Sequence, residues 1–520
     1  MSRQTYYITT PIYYPSDDLH IGHAYCSIAA DTMAKYKRMR NYDVYLLTGT
    51  DEHGQKIERV ARERGLEPQE FVDGMVVKIK DLWELMHVDY DGFIRTTDQQ
   101  HVTAVQEIFS KLYEKGDIYE GVYEGWYCTP CESFWTESQL VDGLCPDCHR
   151  PVEKTSEKSY FFRLSKYEER LKDLFREQKD FVEPASRANE MINNFLKAGL
   201  DDLAVSRSNF SWGIPLPFDP DSIAYVWVDA LCNYITALGY PNEPEKFDHY
   251  WPADVHLVGK EIMRFHSLIW PALLMALELP LPKKVFGHGW LLFEGGKMSK
   301  SKGNVVDPVI LVERYGLDAI RYFLLREFPF GSDGSYTHDG VIRRKNADLS
   351  NNLGNLAQRS LSMVYKNLDA QVPEPGELTE QDEQILAEVD GLLETWREYF
   401  EVQDFYRALG AAWKVLDHTN EYFADQQPWV LRKTDEARMK TVLWVTLEVV
   451  RKIALLLQAV MPEAATKLLD ALGIEASADA GKTNASGQGP RSYAAWDDKI
   501  AAGTPIDKPT PVFPRHEEEE

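Results

Sequence analysis

Two short motifs, far apart in the chain, contain side chains that can act on phosphate groups. His20 and His23 flank Ile21 and Gly22 where an apolar strand gives way to a helix, and a helix N-terminus offers N–H groups to anions. Lysines on a glycine-flanked hairpin suit a polyphosphate whose charge grows in a transition state. Such lysines stand in "GGKMSKSKGN": Lys297, Lys300 and Lys302. Taken alone, either stretch could be an ordinary solvated loop.

Four of the six cysteines form two Cys-x-x-Cys pairs with the spacing of metal ligands. The pairs lie in "WYCTPCES" and "GLCPDCHRP" and contain Cys128, Cys131, Cys145 and Cys148. Four thiolates at this spacing can surround one tetrahedral Zn²⁺, and they leave no open position for a substrate. The alternative is two disulfides or a redox dithiol. We predict one structural zinc ion in a knuckle.

The histidine motif lies in a predicted strand, helix, strand unit. The first strand, "TYYITTPIYY", is rich in β-branched and aromatic residues and ends at Pro15. Helical spacing of apolar residues predicts a helix from Ile21 to Arg40, and a second strand, "YDVYLLTGT", follows. Such units build parallel sheets, whose ligands bind beyond the carboxyl ends of the strands. The histidines therefore lie at a ligand-binding edge.

The pattern changes twice along the chain. From 116 to 224, short aromatic strands and the cysteine pairs interrupt the α/β pattern, which resumes at "AYVWVDALCNYI" and continues to "KVFGHGWLLFEGGKMSKSKGN". One sheet is thus predicted to be split by an inserted module. After about Arg326, strand patterns give way to long helical periodicities, which predict a helical bundle.

Composition bounds the class of protein. The chain has 520 residues and a formal net charge of −25, which argues against non-specific coating of nucleic acid. A local stretch, 341–366, is nevertheless basic. The sequence has no run of about 18 apolar residues and no signal peptide at its start. We therefore expect a cytoplasmic protein that does not associate with a membrane.

Together the two motifs are far more specific than either alone. His-Ile-Gly-His after the first strand of a split α/β sheet, and Lys-Met-Ser-Lys-Ser after the last, resemble the class I aminoacyl-tRNA synthetases residue for residue. The resemblance implies attack of an amino-acid carboxylate on the α-phosphate of ATP, with loss of pyrophosphate. Positioning and electrostatics do most of the work in such reactions.

This resemblance assigns roles around ATP. Gly22 would let the adenine lie against the backbone, and His20 and His23 would donate hydrogen bonds to the phosphates. Lys297 and Lys300 would close on the leaving pyrophosphate, with Mg²⁺ bridging its oxygens. Arg207, in "SRSNFSWG", resembles a residue that contacts ATP at the mouth of the site, and an interdomain salt bridge is the alternative.

Further stretches resemble the methionyl members of this family over nearly the whole chain. They are "TTPIYYPSDDLHIGH", "YVWVDALCNY" and "GKEIMRFHSLIW". Asp51, in "TGTDEHGQKI", resembles the residue that holds the substrate ammonium group. Aromatic rings suit a polarizable thioether. The resemblance implies a methionine pocket of Ile12, Tyr14, Trp227, Ala230, Tyr234, Ile262, His266 and Trp270, and for each of them ordinary core packing is the alternative.

The helical part resembles a domain that recognises tRNA(Met). Asn355 and Arg359, four residues apart in "NNLGNLAQR", resemble a pair that reads anticodon bases from one helix face. Trp429, in "DQQPWVLRK", resembles an aromatic residue on which a splayed base stacks. A capped helix with a half-buried tryptophan is the alternative. The zinc knuckle would shape the site near the acceptor end of the tRNA.

The resemblance implies an α/β Rossmann-like parallel-sheet catalytic domain, split by an inserted zinc-knuckle module and followed by an α-helical-bundle anticodon-binding domain. Relatives often carry a further C-terminal dimerising domain, for which the final residues leave no room, so we expect a monomer. The expected divisions are 1–115 for the first catalytic half, 116–224 for the inserted module, 225–295 for the second catalytic half, 296–345 for the lysine loop and stem-contact region, 346–475 for the anticodon-binding domain and 476–520 for the C-terminal loop and tail.

Three other functions are open at this point. A synthetase for leucine, isoleucine or valine would need a much larger insertion, and one for cysteine would place zinc beside the substrate. A small nucleotidyltransferase would lack the helical half. A tRNA-binding protein without catalysis would not need to keep His20, His23, Lys297 and Lys300 together.

Overall fold

The computed structural model describes residues 3–293, 296–297, 306–475 and 490–517. Within these ranges every helix falls short of the length or the apolar character that a transmembrane span requires. The described strands are β1 (Thr5–Thr9), β2 (Asp43–Thr50), β3 (Gly92–Arg95), β4 (Ile118–Cys128), β5 (Ser133–Trp135), β6 (Glu153–Phe162), β7 (Val182–Glu183), β8 (Leu203–Ala204), β9 (Ser206–Arg207), β10 (Pro215–Leu216), β11 (Asp219–Ala224), β12 (Val255–Gly259), β13 (Val285–His288), β14 (Leu291–Phe293), β15 (Gly296–Lys297) and β16 (Gly334–Ser335).

The helices follow the same numbering. They are α1 (Ile21–Met39), α2 (Gln55–Glu63), α3 (Pro68–Leu85), α4 (Gln99–Glu114), α5 (Glu168–Glu177), α6 (Ala185–Met191), α7 (Val226–Thr236), α8 (Pro244–Tyr250), α9 (Trp270–Leu277), α10 (Pro308–Tyr315), α11 (Leu317–Arg326), α12 (His338–Arg343), α13 (Asn355–Asn367), α14 (Glu380–Glu401), α15 (Phe405–Gln426), α16 (Pro428–Thr434), α17 (Glu436–Leu457) and α18 (Pro462–Ala471). π-Helical stretches cover Ile192–Leu196, Phe265–Ile269 and Arg344–Gly354.

Six strands form one parallel sheet in the order β3, β2, β1, β12, β13, β7. Every neighbouring pair is parallel, as in β1 and β2, where Tyr7 lies opposite Tyr45. The central strands β1 and β12 are almost wholly buried, because helices cover both faces of a parallel sheet. The predicted parallel α/β sheet, resumed after an insertion, is confirmed.

The inserted segment is built around an antiparallel sheet in the order β5, β4, β6, β8. β4 and β6 pair over ten positions, beginning with Ile118 opposite Phe162. The cysteine pairs gather at one end of this sheet, where Cys128 and Cys145 pack with Trp135 in a small separate core. The knuckle therefore has a scaffold of its own.

One strand of the segment 116–224 leaves this module. β7 pairs with β13 at the edge of the parallel sheet, where Val182 lies opposite Val285. The expected module is therefore not a separate body along its whole length. Two residues of extended chain are enough to add an edge strand, and so short a segment has no period-two pattern from which to predict it. The six domain divisions themselves stay predictions.

The helical part packs directly on the catalytic half. The pattern "KNADLSNNLGNLAQRSLSMVYKNL" forms the π-helical stretch Arg344–Gly354 followed by α13, and the other predicted helices correspond to α14, α15 and α17. Their apolar faces share one hydrophobic core with α1, in which the Tyr36 and Phe400 ring centroids lie 4.7 Å apart. The predicted helical bundle is confirmed.

Candidate active site

A cavity of about 440 Å³ opens at the carboxyl edge of the parallel sheet. Its walls come from the segments that follow β1, β2, β12 and β13, together with α7 and the start of α1. Ligands of open α/β sheets bind at this edge. Eleven of the residues predicted to contact ATP or methionine line it: Ile12, Tyr14, His20, Gly22, His23, Asp51, Trp227, Ala230, Tyr234, Ile262 and His266. Two predicted metal ligands, Cys131 and Cys148, reach the same cavity.

The two motif histidines cap the helix that they begin. The Gly22 N–H donates to His20 Nδ1 and the His20 N–H donates to His23 Nδ1, each at 3.0 Å. An Nδ1 that accepts a hydrogen bond carries no proton, so both neutral rings hold their proton on Nε2. The helix start thus fixes the tautomers. Both rings line the cavity as Nε2–H donors.

Gly22 is required by the cap itself. A Cβ at this position would lie 2.8 Å from His20 Cε1 and 2.9 Å from His20 Nδ1. The His20 ring could then not fold back over the first turn of α1. Gly22 therefore allows the His20 ring to adopt this orientation. This role is additional to the close approach of the nucleotide that the sequence predicts.

Asp51, directly after β2, brings a buried carboxylate to the cavity. Its Oδ1 has no hydrogen-bond partner among the described residues. Burial, together with the nearby carboxylates of Asp229, Glu132 and Glu52, raises the pKa of Asp51 well above its usual value. A cationic group bound beside Asp51 would offset both the burial and the repulsion, so the site suits an ammonium group.

The opposite wall is aromatic and uncharged. The Trp227 ring stacks on Phe265 at a centroid distance of 3.8 Å. His266 Nδ1 lies 2.9 Å from the Ile262 carbonyl and must carry the proton, so His266 Nε2 accepts from the Tyr234 hydroxyl at 2.7 Å. Burial lowers the pKa of His266 to about 4, which keeps it neutral at pH 7. Such a wall suits an apolar side chain with a polarizable atom.

Trp270 and Arg207, which the sequence predicts to contact a substrate, do not line the cavity. Trp270 is fully buried behind its wall, where Nε1 donates to His256 Nε2 at 3.2 Å. Arg207 is buried in the inserted module, where it forms an ion pair with Glu157 at 2.7 Å and stacks 3.9 Å from the Tyr127 ring. The structure thus places Arg207 in a salt bridge within its own module and not among the residues that line the cavity.

The cavity also contains residues that the sequence did not single out. Glu132 accepts a hydrogen bond from the Tyr14 hydroxyl at 2.8 Å, and the Lys56 ammonium lies 5.2 Å from the Tyr14 ring centroid. Glu132 directly follows Cys131, and Lys56 lies in the segment after Asp51. That adjacency is the one sequence signal that could have found them.

The lysine motif is described only in part. Gly296 and Lys297 form β15, which pairs antiparallel with β14 so that Lys297 lies opposite Leu292. This agrees with the predicted hairpin at its first positions. The Lys297 side chain and the whole of Lys300 lie outside the described residues.

The four cysteines form a cluster that fits a tetrahedral metal ion. The Sγ atoms of Cys128, Cys131, Cys145 and Cys148 all lie within 4.8 Å of one another, and none of the six cysteines is in a disulfide. Sulfurs at ~2.3 Å from a zinc ion stand roughly 3.8 Å apart in a tetrahedron, so the donor set matches zinc in number, type and spacing. The cluster could hold a metal ion such as zinc.

On the helical part, the three predicted tRNA contacts lie near one another. Asn355 begins α13 and is exposed, and Arg359 stands one turn later. The Arg359 guanidinium lies 5.0 Å from the Phe423 ring centroid and 5.2 Å from that of Trp429. Trp429 is 42% exposed, so its ring is accessible beside a cation.

Comparison with protein families covers both parts of the chain. A family described as tRNA synthetases class I (M) matches residues 6–155 and 149–361. A family described as the anticodon binding domain of methionyl tRNA ligase matches residues 372–520. These matches confirm the predicted class and the predicted helical anticodon-binding domain, and they argue against a synthetase for another amino acid.

Individual relatives agree. A methionine–tRNA ligase from Caldanaerobacter subterraneus is 60% identical over 91% of this chain and 74% of its own length, and one from Bacillus subtilis is 48% identical over 99% and 78%. Mycobacterium tuberculosis methionyl-tRNA synthetase in complex with methionyl-adenylate superposes with a TM-score of 0.93 at 48% identity, covering 98% of this chain and all of the other. From the cavity, the two family matches and these relatives, we conclude that this chain belongs to the methionyl-tRNA synthetases, the methionine–tRNA ligases of class I.

Proposed function

We propose that this cavity binds ATP and L-methionine, forms methionyl-adenylate and pyrophosphate, and passes methionine to the 3′ end of tRNA(Met). The observation that carries the proposal is the meeting of three groups in one cavity: the capped histidines, the Asp51 carboxylate and the aromatic wall. These groups match the phosphates, the ammonium and the thioether of the two substrates.

Methionine would bind with its ammonium group on Asp51 and its side chain against Trp227 and Tyr234. Because Asp51 is buried beside other carboxylates, a cation gains more there than at an exposed site. The neutral His266 ring accepts the hydrogen bond that the Tyr234 hydroxyl donates. These two groups therefore bring no charge to the wall that contacts the methionine side chain. Ile12, Tyr14, Ala230 and Ile262 complete this pocket in the proposal, with Trp270 supporting it from behind.

ATP would lie over the start of α1. The Nε2–H groups of His20 and His23 and the helix N-terminus favour negative charge that develops on the phosphates as the methionine carboxylate attacks the α-phosphorus. Lys297 and Lys300 are proposed, from their motif, to bind the departing pyrophosphate. Mg²⁺ bound with ATP would neutralise part of its charge. The burial of Arg207 gives no support to a direct contact with ATP in this conformation.

Three further assignments complete the proposal. Asn355, Arg359 and Trp429 would read the anticodon, because an accessible ring beside a guanidinium suits a splayed base. The metal of the cysteine cluster would be one structural Zn²⁺. Free thiolates in a metal cluster suit a reducing compartment, which supports a cytoplasmic location. The monomeric state stays a prediction, to be checked by light scattering.

The deciding experiment is ATP–pyrophosphate exchange without tRNA, run in parallel with methionine, leucine, isoleucine, valine and cysteine. We expect exchange with methionine alone, followed by charging of tRNA(Met) when the tRNA is added. Exchange with another amino acid would contradict the pocket assignment. No exchange by folded, metal-loaded protein would contradict catalysis and favour a binding role.

A further inference from the structure

Three aromatic side chains bond to two consecutive residues of the cysteine loop: Tyr14 and Trp227, which line the cavity, and Tyr225, which lies beside it. The Tyr225 hydroxyl donates to the Glu132 carbonyl at 2.6 Å, and Trp227 Nε1 donates to the Cys131 carbonyl at 3.3 Å. The Tyr14 hydroxyl donates to Glu132 Oε1 at 2.8 Å. The loop that would ligate the metal is thus a direct support of the proposed methionine pocket.

The Glu132 side chain also reaches the segment that follows Asp51. Its Oε1 accepts from the Lys56 N–H at 3.1 Å, at the start of α2. Gly54 has a φ of +112°, and a Cβ there would lie 2.6 Å from Glu132 Oε2 and 2.8 Å from the Tyr14 hydroxyl. The chain after Asp51 is therefore shaped around this carboxyl, with a glycine at the closest approach.

The backbone of Glu132 is also specialised. It adopts a φ of +50°, in the left-handed region that residues with side chains rarely occupy, and only 4% of the residue is exposed. Such a conformation persists where the surroundings determine it, and it is common at functional sites. Here it turns the side chain from the cysteine loop into the cavity wall. A glutamate that served only the solubility of the loop would not be buried in this way.

We propose that Glu132 is a positioning residue for methionine: it holds the Tyr14 hydroxyl and the segment between Asp51 and Lys56 in place, and so links the folded cysteine cluster to the affinity for the amino acid. The inference rests on the proposed function of the cavity. Loss of Glu132 should therefore weaken the binding of methionine and not that of ATP, because the residues that Glu132 holds belong to the proposed methionine pocket.

The test compares Glu132→Ala, Tyr14→Phe and Glu132→Gln in methionine-dependent ATP–pyrophosphate exchange. We expect the first two each to raise KM for methionine about tenfold, as the loss of a hydrogen bond to a charged group does, with KM for ATP changed less than about twofold. Glu132→Gln should restore most of the affinity, because one amide oxygen can accept from both the Tyr14 hydroxyl and the Lys56 N–H.

A double variant separates a shared interaction from two independent ones. Glu132→Ala with Tyr14→Phe should raise KM for methionine no further than Glu132→Ala alone, since both changes remove the same hydrogen bond. Fold-changes that multiply would overturn the link between these two residues.

Trp135→Phe is the matched control for a purely structural role. Trp135 packs against Cys128 and Cys145 in the core of the cluster and does not line the cavity. We expect this variant to lower the thermal stability and to leave KM for methionine unchanged. Metal content, measured by atomic absorption, should stay at one per chain in Glu132→Ala. If both Trp135→Phe and Glu132→Ala lost metal and raised KM for methionine to the same extent, the positioning role of Glu132 would be wrong.

The outcomes remain distinguishable from failure of the proposed function. If the unsubstituted protein shows no methionine-dependent exchange, the proposed function falls. If it does, and Tyr14→Phe and Glu132→Ala keep its KM for methionine, this inference alone falls. Should Glu132→Ala not fold, Tyr14→Phe and Glu132→Gln decide, because each leaves the buried volume nearly unchanged.

Discussion

Arg321 on α11 and Asp31 on α1 form an ion pair in which both side chains are completely buried, with Arg321 Nη2 at 2.7 Å from Asp31 Oδ2. Arg321 also donates to the backbone carbonyls of Met86, Ala459 and Val460. One guanidinium therefore joins the helix that starts at the histidine motif to the loop before α18. We therefore expect this junction to contribute to the stability of the packing between the helical part and the catalytic half.

Replacing one partner of this pair should be strongly destabilising. Arg321→Met removes one of the two cations that bind the buried Asp31 carboxylate, leaving only Lys35, and it takes the donor from three backbone carbonyls. We therefore expect a loss of about 3–5 kcal/mol in the free energy of unfolding. Urea denaturation followed by circular dichroism measures it. Arg343→Met, at a 62% exposed ion-paired side chain, is the control and should cost less than about 1 kcal/mol. Equal effects of the two variants would contradict the role of the junction.

Asp51→Asn should remove the ammonium site and spare the nucleotide site. We expect KM for methionine in pyrophosphate exchange to rise on the order of 100-fold, because a buried charge-assisted contact is lost, while KM for ATP stays within about twofold. Asp81→Asn, on the exposed face of α3, is the control and should behave as the unsubstituted protein. A wild-type KM for methionine in Asp51→Asn would show that the ammonium binds elsewhere.

Lys300→Ala tests the motif whose second lysine lies outside the described residues. The change should slow adenylate formation by roughly two orders of magnitude or more and leave methionine affinity nearly unchanged, because the lysine acts on charge that develops in the transition state. ATP–pyrophosphate exchange measures the rate of adenylate formation, and equilibrium dialysis measures the affinity for methionine. A normal exchange rate would contradict the assigned role.

Local motifs could be predicted from the sequence because spacing alone determines them. His20 and His23 share the first turn of α1, and Cys128 and Cys131 share one loop, so their geometry follows from neighbours in the chain. Glu132 could not be found in this way, since its partner Tyr14 is 118 residues away. Long-range packing determines such contacts, and a single sequence does not encode them in any periodic pattern.

The same reason explains the other differences. Arg207 carries a charge and lies in a loop-rich segment, which favours an exposed ligand contact, yet Glu157 on the neighbouring strand binds it inside the module. The sequence predicts Trp270 in the pocket wall, whereas in the structure its indole lies behind the wall and donates to His256. In both cases the residue type indicates the kind of partner, an anion for Arg207 and a buried acceptor for Trp270. The direction of the side chain depends on contacts with residues distant in the sequence.

Asp318→Asn should alter the pH dependence of stability. Burial raises the pKa of Asp318 to about 7, and its Oδ2 accepts the Ala464 N–H at the start of α18 at 2.5 Å. A carboxyl whose folded pKa exceeds its unfolded value of ~3.9 stabilises the fold fully below pH ~3.9 and loses that contribution as the pH rises to 7. The variant should therefore melt at a higher temperature than the unsubstituted protein at pH 8, with little difference at pH 4. If the difference in melting temperature between the variant and the unsubstituted protein were the same at pH 4 and pH 8, the raised pKa would be contradicted.

Trp429→Ala should separate tRNA recognition from amino-acid activation. The ring is 42% exposed beside Arg359 and lies on the helical part, outside the catalytic cavity. If an anticodon base stacks on it, its loss should weaken tRNA(Met) charging by roughly 5- to 100-fold in kcat/KM, since stacking of one base is worth about 1–3 kcal/mol. Pyrophosphate exchange without tRNA should stay unchanged, and Trp429→Phe should keep most of the charging activity because a ring remains. Equal losses in charging and exchange would mean that the bundle has unfolded, which circular dichroism would reveal, and undiminished charging by Trp429→Ala would place the base contact elsewhere.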